Sequence, residues 1–471
     1  YFIYTSRSKS KVKIMFTFLL TDIFFYIIFL SLISYIYYVR KTPDLKDTWL
    51  YVFKNKTGII SAVVLSFFMM TALLDSIHIK DKVYNEDKDE YIYSQEIKSI
   101  LDIVLLPIHK NTEKSYSSPF SSHLYSKETI KFNNNKEKRI YPKLLHKGNH
   151  NKYSEDNYKN IFLTSLISIL KTFLLVFSIY LIFYGRSIFK NKLIFSPIAK
   201  NKIFLSSLTI MIAIIFLLFD LGSQYYVLGT DKVGEDVLYK SIKSIRTGIL
   251  IGTLTTIVML PFAIFLGIFA GYIGGLIDDI IQYVYTTLNS IPGVLLIASA
   301  ILMLQVYMSN NPLEFENIYE RADLRLFFLC MILGLTSWTG LCRLLRGESM
   351  KLREVEYVQA SQTFGLKKIS IIIRHIIPNI MHIVIITIVL DFSALVLAEA
   401  VLSYVNIGVD PTTYSWGNMI NAARLEMSRE PIVWWSLFSA FLFMFVLVLF
   451  ANLFSDVVRE AFDPRASKNY E

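Results

Sequence analysis

Five of the seven histidines of this chain, His78, His109, His123, His146 and His150, fall within one polar stretch, residues 76–160. Clustered histidines can hold a transition metal. His146 and His150 stand four apart, but Gly148 between them weakens a helical pairing, and neither a cysteine nor a second His-x-x-x-His joins them. Solvated histidines are the better reading, and no metal site is expected. A second group is the acids inside apolar runs, Asp22, Asp391 and Glu399. A charge at a bilayer centre costs roughly 2.5–3.5 kcal/mol on insertion scales, so such acids line a path or bond a neighbouring helix. A third group is Ser290-Ile291-Pro292-Gly293, which should break a helix, since proline removes a backbone donor and glycine frees the chain. At membrane depth a break is tolerated where it lines a cavity or is buried in protein. Ser290, Pro292, Gly293, Asp391 and Glu399 are therefore candidates for a translocation path or gate; a simple kink is the rival for the first three. The chain carries no G-x-x-x-x-G-K-[ST] loop, no His-Glu-x-x-His and no convincing Ser-His-Asp or paired carboxylates. It is not expected to be an enzyme, to hydrolyse ATP or to hold a cofactor.

The elements that must position these residues are membrane helices. The chain has 471 residues, 54% hydrophobic and 18% charged, and its mean hydropathy is +0.45. A soluble domain carries about 25% charged residues, so this composition excludes disorder and makes an ordinary soluble enzyme improbable. Cys330 and Cys342 lie in one apolar run and form no metal pattern. Runs of about 20 apolar residues span a bilayer. Nine are read here: 14–39, 57–75, 161–184, 203–222, 247–271, 283–306, 325–345, 376–402 and 433–455. The fold class is all-α and polytopic. Gly267, Gly271 and Gly275 recur every four residues, as helices in close contact require.

Charge sets the orientation. With the 346–375 loop in the cytoplasm, the segments 40–56, 185–202, 272–282, 343–375 and 456–471 hold five, five, no, seven and three Lys/Arg. The short opposite segments 223–246, 307–325 and 401–432 hold four, two and two. Positive residues collect on the cytoplasmic side. The net charge of +10 is thus a membrane-orienting charge, and nucleic acid is not an expected partner. The 76–160 insert lies outside, as a small folded or membrane-skirting unit whose apolar stretch 99–108 forms a short helix or surface element. Arg7, Lys9, Lys11 and Lys13 oppose this arrangement, because they would also be outside. The expectation is that residues 1–14 are absent from the working protein, which would start at Met15, or are disordered.

The strongest motif is EYVQASQTFGLKKISIIIRHIIPN, 356–379. It reads as a short amphipathic helix from Glu356 to Phe364, a stop at Gly365, the basic pair Lys367 and Lys368, and a second helix entering the membrane at Pro378. A rigid helix projecting between two spans suits docking to a soluble partner; a plain re-entry loop is the alternative. The segment resembles the EAA loop of ABC-importer permeases, with Gln359-Ala360-Ser361, then Gly365, then His375-Ile376-Ile377-Pro378. The family has Glu where this chain has Gln359 and Ala where it has Ser361. LGTDKVGEDVL (228–238), LAEAVLSYVNIGV (397–409), SWGNM (415–419) and AFDPR (461–465) are similar to the oligopeptide/dipeptide-type permeases, in the C-type partner of the permease pair. Glu235 stands where that family usually has Arg.

The resemblance covers about 203–471 and implies a MetI-like core of six spans. Residues 1–202 are then an accessory region of three spans carrying the insert. It implies that Arg353, Glu356, Tyr357, Gln359, Ala360, Ser361 and Gly365 couple the chain to two ATP-binding subunits, which hold the ATP and Mg. It further implies a second homologous permease subunit, a periplasmic or extracellular substrate-binding protein received at Trp416, Gly417 and Asn418, a peptide substrate, surrounding membrane lipid and a bacterial inner-membrane location. Trp434 and Trp435 read as interface anchors. The rivals are a secondary transporter or channel without ATPases, which would show an inverted repeat and more paired intramembrane charge, and a membrane-bound enzyme with its site in 76–160.

Overall fold

The apolar runs become helices because a backbone in lipid must satisfy its own hydrogen bonds. The computed structural model describes residues 15–85, 90–131, 137–148, 157–189, 202–315 and 317–462. Its helices are α1 (Leu20–Lys41), α2 (Pro43–Val52), α3 (Lys56–Asp75), α4 (Ile100–Val104), α5 (Leu106–His109), α6 (Asn157–Phe189), α7 (Lys202–Gln224), α8 (Val237–Ile273), α9 (Leu276–Ser290), α10 (Gly293–Asn310), α11 (Ile318–Arg353), α12 (Glu356–Thr363), α13 (Lys368–Ile371), α14 (Ile377–Tyr404), α15 (Trp416–Glu426) and α16 (Trp435–Phe462). Among the described residues nine helical stretches are long and apolar enough to cross a membrane. They coincide with the nine expected runs, with one correction. The 283–306 run is not a single helix: α9 stops at Ser290, Pro292 caps α10, and only α10 is long and apolar enough to span.

Two helices run further than their apolar stretches. α8 has 37 residues and α11 has 36, about 55 Å each at 1.5 Å per residue. They extend through charged turns because those charges are paired. Arg246 of α8 bonds Asp22 of α1 at 2.6 Å. Lys243 bonds Asp75 at 2.9 Å and Asp102 at 2.7 Å. Burial alone would raise the Asp102 carboxyl, but Lys243, Ser99 and Tyr239 together hold it below the ordinary carboxylate range. Towards their cytoplasmic ends α8 and α11 approach closely. A Cβ on Gly267 would stand 2.7 Å from the Cys342 carbonyl, and one on Gly271 2.4 Å from that of Arg346. Gly275 is different: it precedes α9 at φ +62 with nothing around it.

Two large clusters make up most of the interior among the described residues. An outer one gathers Phe25, Phe68, Leu250, Leu326, Val396, Trp416 and Trp435. A cytoplasmic one gathers Ala263, Tyr272, Trp338, Val358, Ile372 and Ile380. α3 lies against α16, α8 and α7, so the first spans are built into the bundle. At the cytoplasmic end Tyr51 donates to Glu460 at 2.8 Å.

The insert is a folded unit. Strands β1 (Met15–Thr17), β2 (His78–Asn85) and β3 (Glu90–Ser99) form an antiparallel sheet in that order, and β4 (Glu128–Lys131) pairs with β5 (Glu137–Ile140). Met15 pairs with Lys80, so the start of the first span shares a side with the insert, as the alternation requires. Residues 1–14, with Arg7, Lys9, Lys11 and Lys13, lie outside the described residues, as does His150. The expected short helix at 99–108 is α4 and α5, which bury Leu101, Leu105 and Ile108. Lys147 clamps the unit to the core, donating to Asp236 at 2.8 Å and to the Ile108 and Gly222 carbonyls. Among the described residues no group of three or more metal-type ligands converges. His78 bonds Asp22, His109 stacks on Tyr239, and His123 bonds Ser122.

With this topology, a cysteine placed at the exposed Glu96 of β3 should react with a membrane-impermeant maleimide in intact spheroplasts. Labelling only after lysis would reverse the orientation.

Candidate functional site

The cytoplasmic end of α11 delivers the chain into the loop 354–376, where the resemblance implies coupling. α11 finishes at Arg353, whose Nε bonds Glu354 at 3.0 Å. α12 follows over Glu356–Thr363 and buries a single side chain, Val358, which enters the cytoplasmic core beside Ile371, Ile372 and Ile376. Two further bonds seat the helix: Gln362 donates to the Tyr272 hydroxyl at 3.1 Å, and Asn379 to the Tyr357 hydroxyl at 3.0 Å. Gln359 donates to Glu354 at 3.3 Å. Gly365 then reverses the chain at φ +76, a conformation an L side chain rarely adopts. Its N–H donates to Gln362 O at 2.9 Å. The chain re-enters through α13 and a π-helical turn, Ile372–Ile376, that runs into α14.

Glu356, Tyr357, Gln359 and Ala360 lie on the exposed face, with Ser361 half-buried beside them. Sequence reasoning singled out these residues but not the apolar tip. Phe364 is 85% exposed, and Leu366 and Ile369 flank it at 44% and 63%. The available signal was an aromatic directly before the stop glycine, where no core contact could follow. A rigid, apolar-tipped projection of this kind presents a partner with a small docking knob.

The base of the projection is pinned by charge. Arg346 of α11 grips Asp278 of α9 with two bonds, at 2.5 and 2.7 Å. Those bonds hold the Asp278 carboxyl below its ordinary range. Displacement of α12 therefore bears on α8, α9, α11 and α14 together.

The candidate path residues do not form one lining. Ser290, Pro292 and Gly293 are exposed between α9 and α10, near the level where Asn289 bonds Thr339 at 2.9 Å. Asp391 is half-buried on α14. Glu399 is enclosed: it is 2% exposed and accepts from Ser403 at 2.7 Å. It bonds within the outer core.

A second correction concerns the outer loop. Trp416 is 1% exposed, and its indole N–H donates to the Ser241 carbonyl at 3.0 Å. Gly417 is buried against Glu399 and Ser403. Asn418 donates to the Asp410 and Thr413 carbonyls at 2.9 Å each. Large aromatic area is driven inward wherever a partner accepts the indole N–H. Trp416 and Gly417 therefore shape the loop from within, while Asn418 is half-buried and borders an opening on the outer face. The GTD segment is structural too: Asp236 caps α8 by accepting from Leu238 N, and Trp435 donates to Thr230 O at 2.8 Å.

Residues 263–468 match the family described as binding-protein-dependent transport system inner membrane component. The oligopeptide transport system permease protein OppC of Mycobacterium tuberculosis is 31% identical over 243 residues, covering 52% of this chain and 77% of that one. The chain belongs to this permease family. The permease is also 29% identical over 244 residues to the dipeptide transport system permease protein DppC of Lactococcus lactis, of which it spans 65%, and 28% identical over 246 residues to OppC of Bacillus subtilis, of which it spans 74%. It is a multi-pass membrane protein and a transport subunit, and the loop 354–376 lies in the part the family shares. The reading without ATPases is not favoured.

Proposed function

We propose that this permease forms half of the translocation path of an ATP-driven importer of peptides in a bacterial inner membrane. The observation that carries the reading is the coupling loop: an exposed, apolar-tipped helix tied by Val358 to the core of the spans. Two ATP-binding subunits would dock on Phe364 and the exposed face of α12, holding the ATP and Mg that this chain does not bind. A second, homologous permease would complete the path along the exposed break at 290–293. A substrate-binding protein would deliver peptide on the outer side. Residues 1–202 are accessory to this core of 203–471. Closure of the ATPases on ATP would push α12. Because α12 shares a core with α8 and α14, the push tilts those spans and exchanges inward for outward access. Peptides are favoured as substrate because the relatives are named for oligopeptide and dipeptide transport.

Affinity purification of the tagged full chain from its native membrane tests this directly. Two ATPase chains and a second permease should copurify, with ATP turnover that rises when peptide-loaded binding protein is added. A complex without any ATPase chain would sink the proposal.

A further inference from the structure

On the outer side the hairpin of the insert, β4 and β5, is fastened to the turn between α15 and α16. The Tyr125 hydroxyl donates to the Ile432 carbonyl at 3.1 Å, and the Tyr125 ring meets the Trp435 ring edge-on at 4.9 Å. The Leu124 N–H donates to the Pro142 carbonyl at 2.8 Å and so ties the two legs of the hairpin together at this base. A shallow cleft of about 680 Å³ runs along the join, lined by Ser121, His123, Leu124, Tyr125 and Tyr141 of the insert and by Pro431 of the turn. The turn lies in the part of the chain shared with the family, and the hairpin lies outside it.

One side of this cleft is apolar and the other is basic. The turn is closed by the Val433 N–H, which donates to the Glu426 carbonyl at 3.4 Å. It leaves Leu425 and Ile432 in the open, 69% and 51% exposed, with Met427 exposed beside them. On the hairpin, Lys127 lies over the Tyr141 ring at 5.4 Å. Arg139 stands two residues before Tyr141 and shares its face, and Lys143 is bridged through its backbone to His123. All three cations are exposed. The acids of the two strands do not offset them: Glu128 is bonded to Lys114 at 2.8 Å, and Glu137 is engaged as well. On the turn itself Arg429 and Glu430 are both exposed and of opposite sign, so the excess of positive charge stands.

We infer that the hairpin and the 425–432 turn together form the face on which the substrate-binding protein docks, and that this face takes an apolar protrusion of that protein flanked by acidic residues. An exposed apolar patch rimmed by charge is the anatomy of a protein interface. Leu425, Met427 and Ile432 supply the apolar part, and Lys127, Arg139 and Lys143 attract the acids. Lipid fits less well, because the basic residues belong to a hairpin seated over the first residue of α16 and not along the flank of that span. The core contributes one half of the face and the accessory insert the other. A binding protein that matched the turn alone would meet the hairpin as an obstacle, so the insert makes docking selective for one partner. That this partner is a binding protein rests on the importer reading; the composite face rests on the geometry.

Photocrosslinking in the native membrane tests it, with a benzophenone side chain placed in the full chain at Tyr141 and, separately, at Ile432. Tyr93 of β3, exposed on the other sheet of the insert, is the control. Mass spectrometry should find one and the same substrate-binding protein joined to both test positions and absent from Tyr93. With that protein purified, its affinity for the full chain in lipid nanodiscs should fall about tenfold in the Lys127→Glu, Arg139→Glu double variant. The loss should lie mostly in slower association, with a flatter dependence on salt, as rim charges act. Crosslinking changes no charge, so a misfolded double variant leaves the test intact. Crosslinks from Ile432 but not Tyr141, equal crosslinking at Tyr93, or unchanged affinity of the folded double variant each overturns the composite face. Adducts with lipid alone at both positions would assign the surface to the membrane and also overturn it. A complex that captures the same binding protein at both positions but contains no ATPase would refute the importer reading and keep the face.

Discussion

Gly365→Pro should cut uptake at least tenfold while the chain still inserts and folds. Proline fixes φ near −65° and has no N–H, whereas Gly365 sits at φ +76 and donates to Gln362 O. The backbone mismatch costs about 1–3 kcal/mol, and the lost bond about 1 kcal/mol more. The cheapest relief is for α12 to swing off its seat, because among its residues Val358 alone is buried. Each 1.4 kcal/mol of lost coupling is about tenfold in rate, so uptake falls by at least that factor. Glu356→Lys, which reverses charge on the exposed face without touching the fold, and Phe364→Ala, which removes the apolar tip, act at the same contact. Both should separate ATP turnover from uptake in reconstituted complexes. Normal peptide-stimulated turnover and uptake in all three variants would falsify the coupling assignment.

The largest effect on stability belongs to Arg246. It is bonded to Asp22 at 2.6 Å, to the Thr21 hydroxyl at 3.0 Å and to Ser76, and lies 3.7 Å from Asp323. Asp22 also accepts from His78 at 2.7 Å, and Thr21 bonds Asp323 through its hydroxyl. One guanidinium thus joins α1, α8, α11 and the insert in a buried cluster. Breaking a buried pair by removing one partner costs about 3–5 kcal/mol, since the other charge remains without a counter-ion. Arg246→Met should therefore lower the melting temperature in detergent sharply and detach the first spans, read as new protease cleavage between α1 and α3. Adding Asp22→Asn should cost much less than the sum of the single changes, because the orphaned charge is gone. Strict additivity would show that the cluster is not a unit.

That cluster also shows where the sequence stops being informative. The nine spans follow from apolar runs and bilayer thickness, both local properties, and the break at Pro292 follows from proline's missing donor. The helix 356–363 was legible because an amphipathic stretch, a stop glycine and a re-entering span stand together within 24 residues; its coupling role rests on the resemblance. By contrast, Thr21 and Asp323 are 302 positions apart, and nothing local announces that Arg246 and Asp22 will meet. The same blindness misplaced Trp416 and Glu399. Trp416 was read through the resemblance as a contact for a binding protein, and Glu399 by residue type as a path acid. Their positions were instead decided by distant partners, the Ser241 carbonyl for the indole and the close fit of Gly417 for the acid. The insert's sheet was missed for a related reason: β1 comes from the far side of the first three helices, so its pairing with β2 is not a hairpin.

Val358 has a consequence for how such machines diversify. A projecting helix seated by one inward apolar residue and by bonds at Tyr357 and Gln362 leaves its other positions free to be rewritten. Addressing and architecture are then separately heritable: drift on the outer surface of α12 can follow drift in the ATPase groove without reopening the core. If α12 is the seat of the ATPase, exchange of that subunit becomes a matter of matching a few exposed side chains, and a chimaera carrying a foreign α12 face with Tyr357, Val358 and Gln362 retained is the smallest edit that would redirect this permease to another motor.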